Sequence, residues 1–170
     1  MNQVAPPRGW PSTTGGILLR NVIAVIIGII AGMALNMGIL EINSLAYPIP
    51  EGLDIKVPAQ LQNYLDTLPA PAFLLAMAAH LAQSFGGGWI AARLGSSRPM
   101  LLAMIVGAVS LAGGVMMMTM VKGPAWMAIE LPLYLVVAWL AGNIEQKRRA
   151  AGNTPAPDSA EGGKAESDEA

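Results

Sequence analysis

The chain contains no cysteine and a single histidine. The first absence excludes disulfides, thiolate zinc sites and cysteine nucleophiles, and the second excludes any multi-histidine metal centre. Charge is scarce as well: only 12% of the 170 residues are Asp, Glu, Lys or Arg, and the formal net charge is -1. No concentrated basic face is available, so nucleic acid is not an expected partner. What the chain has in plenty is apolar surface. It is 54% hydrophobic with a mean hydropathy of +0.49, too apolar for an ordinary soluble domain of this length. The lipid bilayer is therefore the first expected partner.

Residues 1–16 are rich in Pro, Gly, Ser and Thr and show no periodicity, which predicts a disordered N-terminal tail. Residues 146–170 turn to charge, Ala and Gly, which predicts a disordered C-terminal tail. Between them, residues 17–40, 71–92, 99–121 and 124–144 form four apolar runs. Each reaches the ~20 residues that, at about 1.5 Å per residue, cross a hydrocarbon core about 30 Å thick. The last three open on Pro71, Pro99 and Pro124, where a missing N–H costs nothing in a first helical turn. A cleaved signal peptide competes for the first run, since Arg8 and Arg20 precede its apolar part. The run is longer than a typical h-region and lacks an A-x-A-like end, which favours an uncleaved helix.

Residues 41–70 are the one long connection. Within it Leu61, Tyr64, Leu65 and Leu68 recur at helical spacing, predicting a short amphipathic helix on the membrane surface or capping the bundle. An irregular loop with scattered leucines is the alternative. Arg8, Arg20, Arg93, Arg98, Lys147, Arg148, Arg149 and Lys164 fall on one side of a four-span topology, and only Lys56 and Lys122 on the other. Basic residues resist translocation, so both termini are predicted to be cytoplasmic. Arg20 can snorkel from the start of the first run and needs no partner.

Small and polar residues mark one stripe on each run. The first carries Asn21, Ala24, Gly28, Gly32 and Asn36; the second Ala76, His80, Gln83, Ser84, Gly87 and Ala91; the third Ala103, Gly107, Ser110 and Gly114; the fourth Glu130, Tyr134, Val137 and Ala141. Small residues let helices approach in lipid, so Gly28, Gly32, Gly87, Gly107 and Gly114 are expected packing positions. The prediction is an all-α, polytopic transmembrane four-helix bundle with disordered termini. Met116, Met117, Met118 and Met120 point around a helix instead of converging, which argues for gap-filling over a soft-metal site.

The stripes also hold the candidate site. His80, Glu130 and Asn36 fall in the outer half of the membrane at comparable depth, where an isolated carboxylate is costly. We expect His80 and Glu130 to pair, with Asn36, Gln83, Ser84 and Tyr134 completing an intramembrane polar cluster. Two roles compete. The cluster could fix helix register through interhelical hydrogen bonds, or it could titrate and couple proton movement to a substrate.

The chain resembles an uncharacterised (conserved hypothetical) family of small four-span bacterial membrane proteins. The likeness covers about residues 17–144 and rests on NVIAVIIGIIAGMALNMG, PEGLD, HLAQSFGGGWIAARL and WMAIELPLYLVVAWLAG. The family pattern has an asparagine matching Asn36, a histidine matching His80, and an acidic residue, often aspartate, at Glu130. The resemblance implies a multi-pass protein of the bacterial inner (cytoplasmic) membrane.

No nucleophile, base and orienting group converge in the sequence, so no enzyme and no cofactor are expected. A structural or accessory role is the first reading, with a second copy or another membrane protein as partner. The alternative is a small proton-coupled transporter using Glu130 and His80. Its likeness to small multidrug exporters is only general, because those carry their intramembrane glutamate on the first helix.

Overall fold

The computed structural model describes residues 13–152, and the described chain is all-helical. Thr13 sits in extended backbone and its hydroxyl accepts the Gly16 N–H at 3.3 Å, a side-chain cap on the first turn. Helix α1 then runs over Thr14–Ala46. Residues 13–16 thus belong to the helix and its cap and not to the expected tail; residues 1–12 lie outside the described residues. The helix also outruns residue 40. It stops only where Pro48 pushes Tyr47 out of helical geometry, to φ -130° and ψ 79°.

Helix α2 covers Pro58–Leu65, and α3 covers Ala70–Leu94 with Pro71 in its first turn. Helix α4 covers Pro99–Met120. The fourth expected run does not begin as an α-helix at Pro124: a 3-10 turn over Ala125–Ile129 comes first, and α5 covers Glu130–Gly152. Pro132 gives the reason. In a continuous α-helix from Pro124 it would be interior, with no N–H for the Ala128 carbonyl and a ring crowding it. Starting α5 at Glu130 puts Pro132 in the first turn, where a proline is tolerated.

The expected C-terminal tail also begins late, since residues 146–152 continue α5. Glu145 with Arg148 and Arg149 at i+3 and i+4 supports the helix past the apolar run. Residues 153–170 lie outside the described residues.

Helix α3 is central: it packs on α1, α4 and α5, and α4 packs on α5. The interior is built of small residues, among them Ala24, Ala79, Ala91, Ala103, Ala138 and Ala141, each at most 1% exposed. The outside carries Leu18, Ile26, Ile30, Met37, Met116 and Trp139, all exposed. A water-soluble domain buries its large aliphatic residues, and this chain does the reverse, as expected when the surroundings are lipid and close backbone approach holds helices together. Helices α1 and α4 and the segment Ala125–Gly152 are long and apolar enough to cross a membrane.

Candidate functional site

Glu130 is the first residue of α5 and is 3% exposed. A helix N-terminus favours a negative side chain, which helps to hold a carboxylate at this depth. His80 of α3 reaches it, with Nδ1 at 3.3 Å from Glu130 Oε2. One turn along α5, the Tyr134 hydroxyl donates to Glu130 Oε1 at 3.2 Å. One turn along α3, the buried Ser84 hydroxyl donates to the Tyr134 carbonyl at 2.9 Å. Residues 80 and 84 therefore meet residues 130 and 134 rung by rung, because i and i+4 share a helix face. Gly114 of α4 makes room for the tyrosine: a Cβ there would lie 2.7 Å from Tyr134 Cε2. Gly107 does the same for Ala138, at 2.5 Å.

Asn36 and Gln83 stand apart from this ladder. Gly28 faces Gly87, Gly32 faces Gln83, and Asn43 Nδ2 donates to the Ala72 carbonyl, so the antiparallel register of α1 and α3 puts Asn36 level with Ala79. Asn36 is 8% exposed and its Nδ2 has no hydrogen-bond partner among the described residues. Gln83 lays its Cγ against Gly32. The expected cluster of six is thus four linked residues between α3 and α5, with two others in the α1–α3 seam.

Above the ladder lies a cavity of about 780 Å³ with His80 and Glu130 at its inner end. Helix α2 closes part of it as a cap. Tyr64 donates to the Tyr47 carbonyl at 2.6 Å, and Gln62 accepts the Lys122 N–H at 2.6 Å and donates to the Lys122 carbonyl at 3.0 Å. Those bonds tie α2 to the end of α1 and to the α4–α5 loop.

At the opposite end of the helices is a group that sequence reasoning missed. Glu145 is 0% exposed and bonds Arg148 at 2.6 and 2.7 Å and Arg149 at 3.0 Å, with Arg93 at 3.6 Å. Arg149 also donates to the carbonyls of Ala92 and Gly95, and Arg20 Nε donates to the Leu94 carbonyl at 3.0 Å. Asn21 bonds Ser96 N and Ser97 Oγ. Arg20 is therefore not a free snorkelling cation but a donor to the end of α3, whose last carbonyls have no partner inside their own helix. The spacing E-x-x-R-R directly after an apolar run was the available signal.

No family model, curated protein or solved structure matches the chain. The site is read from its own geometry. Among the described residues no group of three His, Cys, Asp or Glu is placed to hold a metal ion. With no native cysteine to interfere, His80→Cys paired with Glu130→Cys should cross-link rapidly with a short bifunctional reagent, whereas Asn36→Cys with Glu130→Cys should react much more slowly. Equal rates would contradict the seam placement of Asn36.

Proposed function

We propose that the chain is a four-span integral protein of the bacterial inner membrane, with both termini cytoplasmic, acting in a structural or accessory capacity. Helix α3 is the span that apolarity alone does not nominate. Its 25 residues reach about 37 Å, and α1, α4 and α5 surround it. A helix packed against three neighbours can carry His, Gln and Ser on its inner faces and still present Leu74, Phe85 and Trp89 outward. Arg20 and the arginines gathered around Glu145 then lie on the cytoplasmic side.

The observation that carries the structural role is the two-rung ladder. Ser84 of α3 donates to the Tyr134 carbonyl of α5 within the buried interior, and Glu130 has a partner on each oxygen, His80 from α3 and Tyr134 from its own helix. Such a set fixes the register of α3 on α5. Interhelical hydrogen bonds in membranes contribute about 0.6 kcal/mol each and rarely more than ~1.7. Glu130→Gln should therefore cost roughly 1 kcal/mol of stability and leave vesicle transport phenotypes unchanged at every pH.

The cavity ending on His80 and Glu130 favours the second reading, a proton-coupled carrier. On that reading Glu130→Gln abolishes pH-dependent uptake or efflux in vesicles while the protein remains folded. The stability measurement and the flux measurement on the same variant separate the two.

A further inference from the structure

The cavity is more specific than a gap beneath a cap. Its volume of about 780 Å³ lies in the range of roughly 300 to 1,000 Å³ that small-molecule sites occupy. Its walls are apolar, with Leu40, Leu61, Leu68, Phe73, Met117 and Val121 drawn from α1, α2, α3, α4 and their connections. The thioethers of Met117, Met118 and Met127 give part of the wall side chains that adapt to an irregular guest.

The polar side chains lining the cavity are Asn43, Ser44, Tyr64, His80, Lys122 and Glu130. Asn43 lines the cavity, and its Nδ2 is committed to the Ala72 carbonyl at 3.3 Å. That bond fixes the amide orientation and leaves Oδ1 buried with no partner among the described residues. At the inner end, His80 Nδ1 is turned to Glu130 Oε2. With the carboxylate ionised and the imidazole neutral, Nδ1 donates to it and Nε2 is left as an acceptor. The His80 side chain is 28% exposed against 4% for Glu130, so a guest meets the imidazole first and the carboxylate charge just behind it.

The titratable residues lining the cavity are His80 from α3, Tyr64 from α2, Lys122 from the α4–α5 loop and Glu130 from α5. Tyr134 bonds the far side of Glu130. Lys122 is exposed, where solvent screens it. With Glu130 ionised and His80 neutral, the inner end presents a carboxylate whose donors are formally neutral, in surroundings of low dielectric. A cation with N–H donors complements it, a carboxylate is repelled by it, and a neutral guest leaves the charge uncompensated.

We propose that this cavity binds a lipophilic amine, its apolar body among the aliphatic and methionine side chains and its protonated nitrogen against the His80–Glu130 pair. The proposal goes beyond the structural role and rests on the same membrane-embedded placement. The probes are 1-naphthylmethylamine, with 1-naphthylmethanol and 1-naphthoate as shape-matched neutral and anionic controls. Equilibrium dialysis is run against the full chain in phosphatidylcholine nanodiscs, with empty discs as the baseline.

The amine should bind saturably, about tenfold or more tighter than the alcohol, as expected for a charge-assisted contact. The carboxylate should not exceed the baseline. Glu130→Gln should weaken the amine about tenfold and barely affect the alcohol. Ala76→Phe, one turn outward from His80 in the cavity wall, should abolish binding of both and leave the ladder intact; it decides the matter should Glu130→Gln fail to fold. Alcohol binding as tight as amine binding, carboxylate binding above baseline, or amine binding insensitive to Ala76→Phe would overturn the proposal. Inserted cysteines that report four spans, in discs that show no saturable amine binding, sink the ligand site and leave the four-span reading standing.

Discussion

Gly87→Leu should destabilise the protein by about 3 kcal/mol, at the upper end of what overpacking a tight interface costs, and Gly28→Leu should do nearly the same. The two glycines face each other across the α1–α3 seam. A Cβ on Gly28 would lie 2.5 Å from the Gly87 carbonyl oxygen, and a Cβ on Gly87 would lie 2.6 Å from the Gly28 carbonyl oxygen. Both obstacles are backbone, so no rotamer change relieves them. Helix α1 must move off α3, and because α1 packs chiefly on α3, it loses most of its contacts in doing so. The double variant should cost less than the sum of the singles, since one displacement serves both. Gly38→Leu is the control within the same helix: nothing lies within 4 Å of its added Cβ, and the change should stay within about 0.5 kcal/mol. Unfolding in bicelles reads all four variants. A Gly87→Leu protein as stable as Gly38→Leu would show that α1 is not held by close approach.

That prediction was almost within reach of the sequence, because small residues at i, i+4 spacing name a face without a partner. Gly28 and Gly32 were visible as a stripe; that Gly87 and Gln83 are their counterparts follows only from the register of α1 on α3. His80 and Glu130 were legible together for a different reason. Both are costly in lipid and lie at similar distances from the ends of their apolar runs, where few other polar groups compete. Asn36 obeyed the same depth rule yet stays out of the ladder, since depth says nothing about azimuth and its helix lies across α3 from α5. The cavity left no trace in the sequence at all. It is lined jointly by the 3-10 turn before Glu130, the α2 cap and the ends of α1, α3 and α4, and periodicity within single helices carries no record of such an arrangement.

The other large effect is expected at the helix ends opposite the cavity, where composition misled most. Residues 146–170 read as a solvated tail on charge content, but residues 146–152 continue α5, and Glu145 just before them is fully enclosed, its carboxylate gathering Arg93, Arg148 and Arg149. Removing one partner of a buried ion pair costs about 3–5 kcal/mol when the charges left behind cannot reach water. Here the three arginine side chains are 47%, 52% and 26% exposed, so they rehydrate in part, and Glu145→Ala should cost nearer ~2 kcal/mol. The loss should spread beyond the ion pairs. Glu145 holds Arg149 where its guanidinium reaches the Ala92 and Gly95 carbonyls, so the end of α3 loses a donor that no backbone N–H replaces. Amide exchange should accelerate both over residues 146–152 and around the α3–α4 turn, two regions far apart in sequence. A double-mutant cycle should give a larger coupling for Glu145 with Arg149 than with the more exposed Arg148, although the Arg148 contacts are the shorter ones. Exchange confined to residues 146–152 in Glu145→Ala would mean that Arg149 finds the α3 carbonyls unaided, and the two helix ends would then be independent.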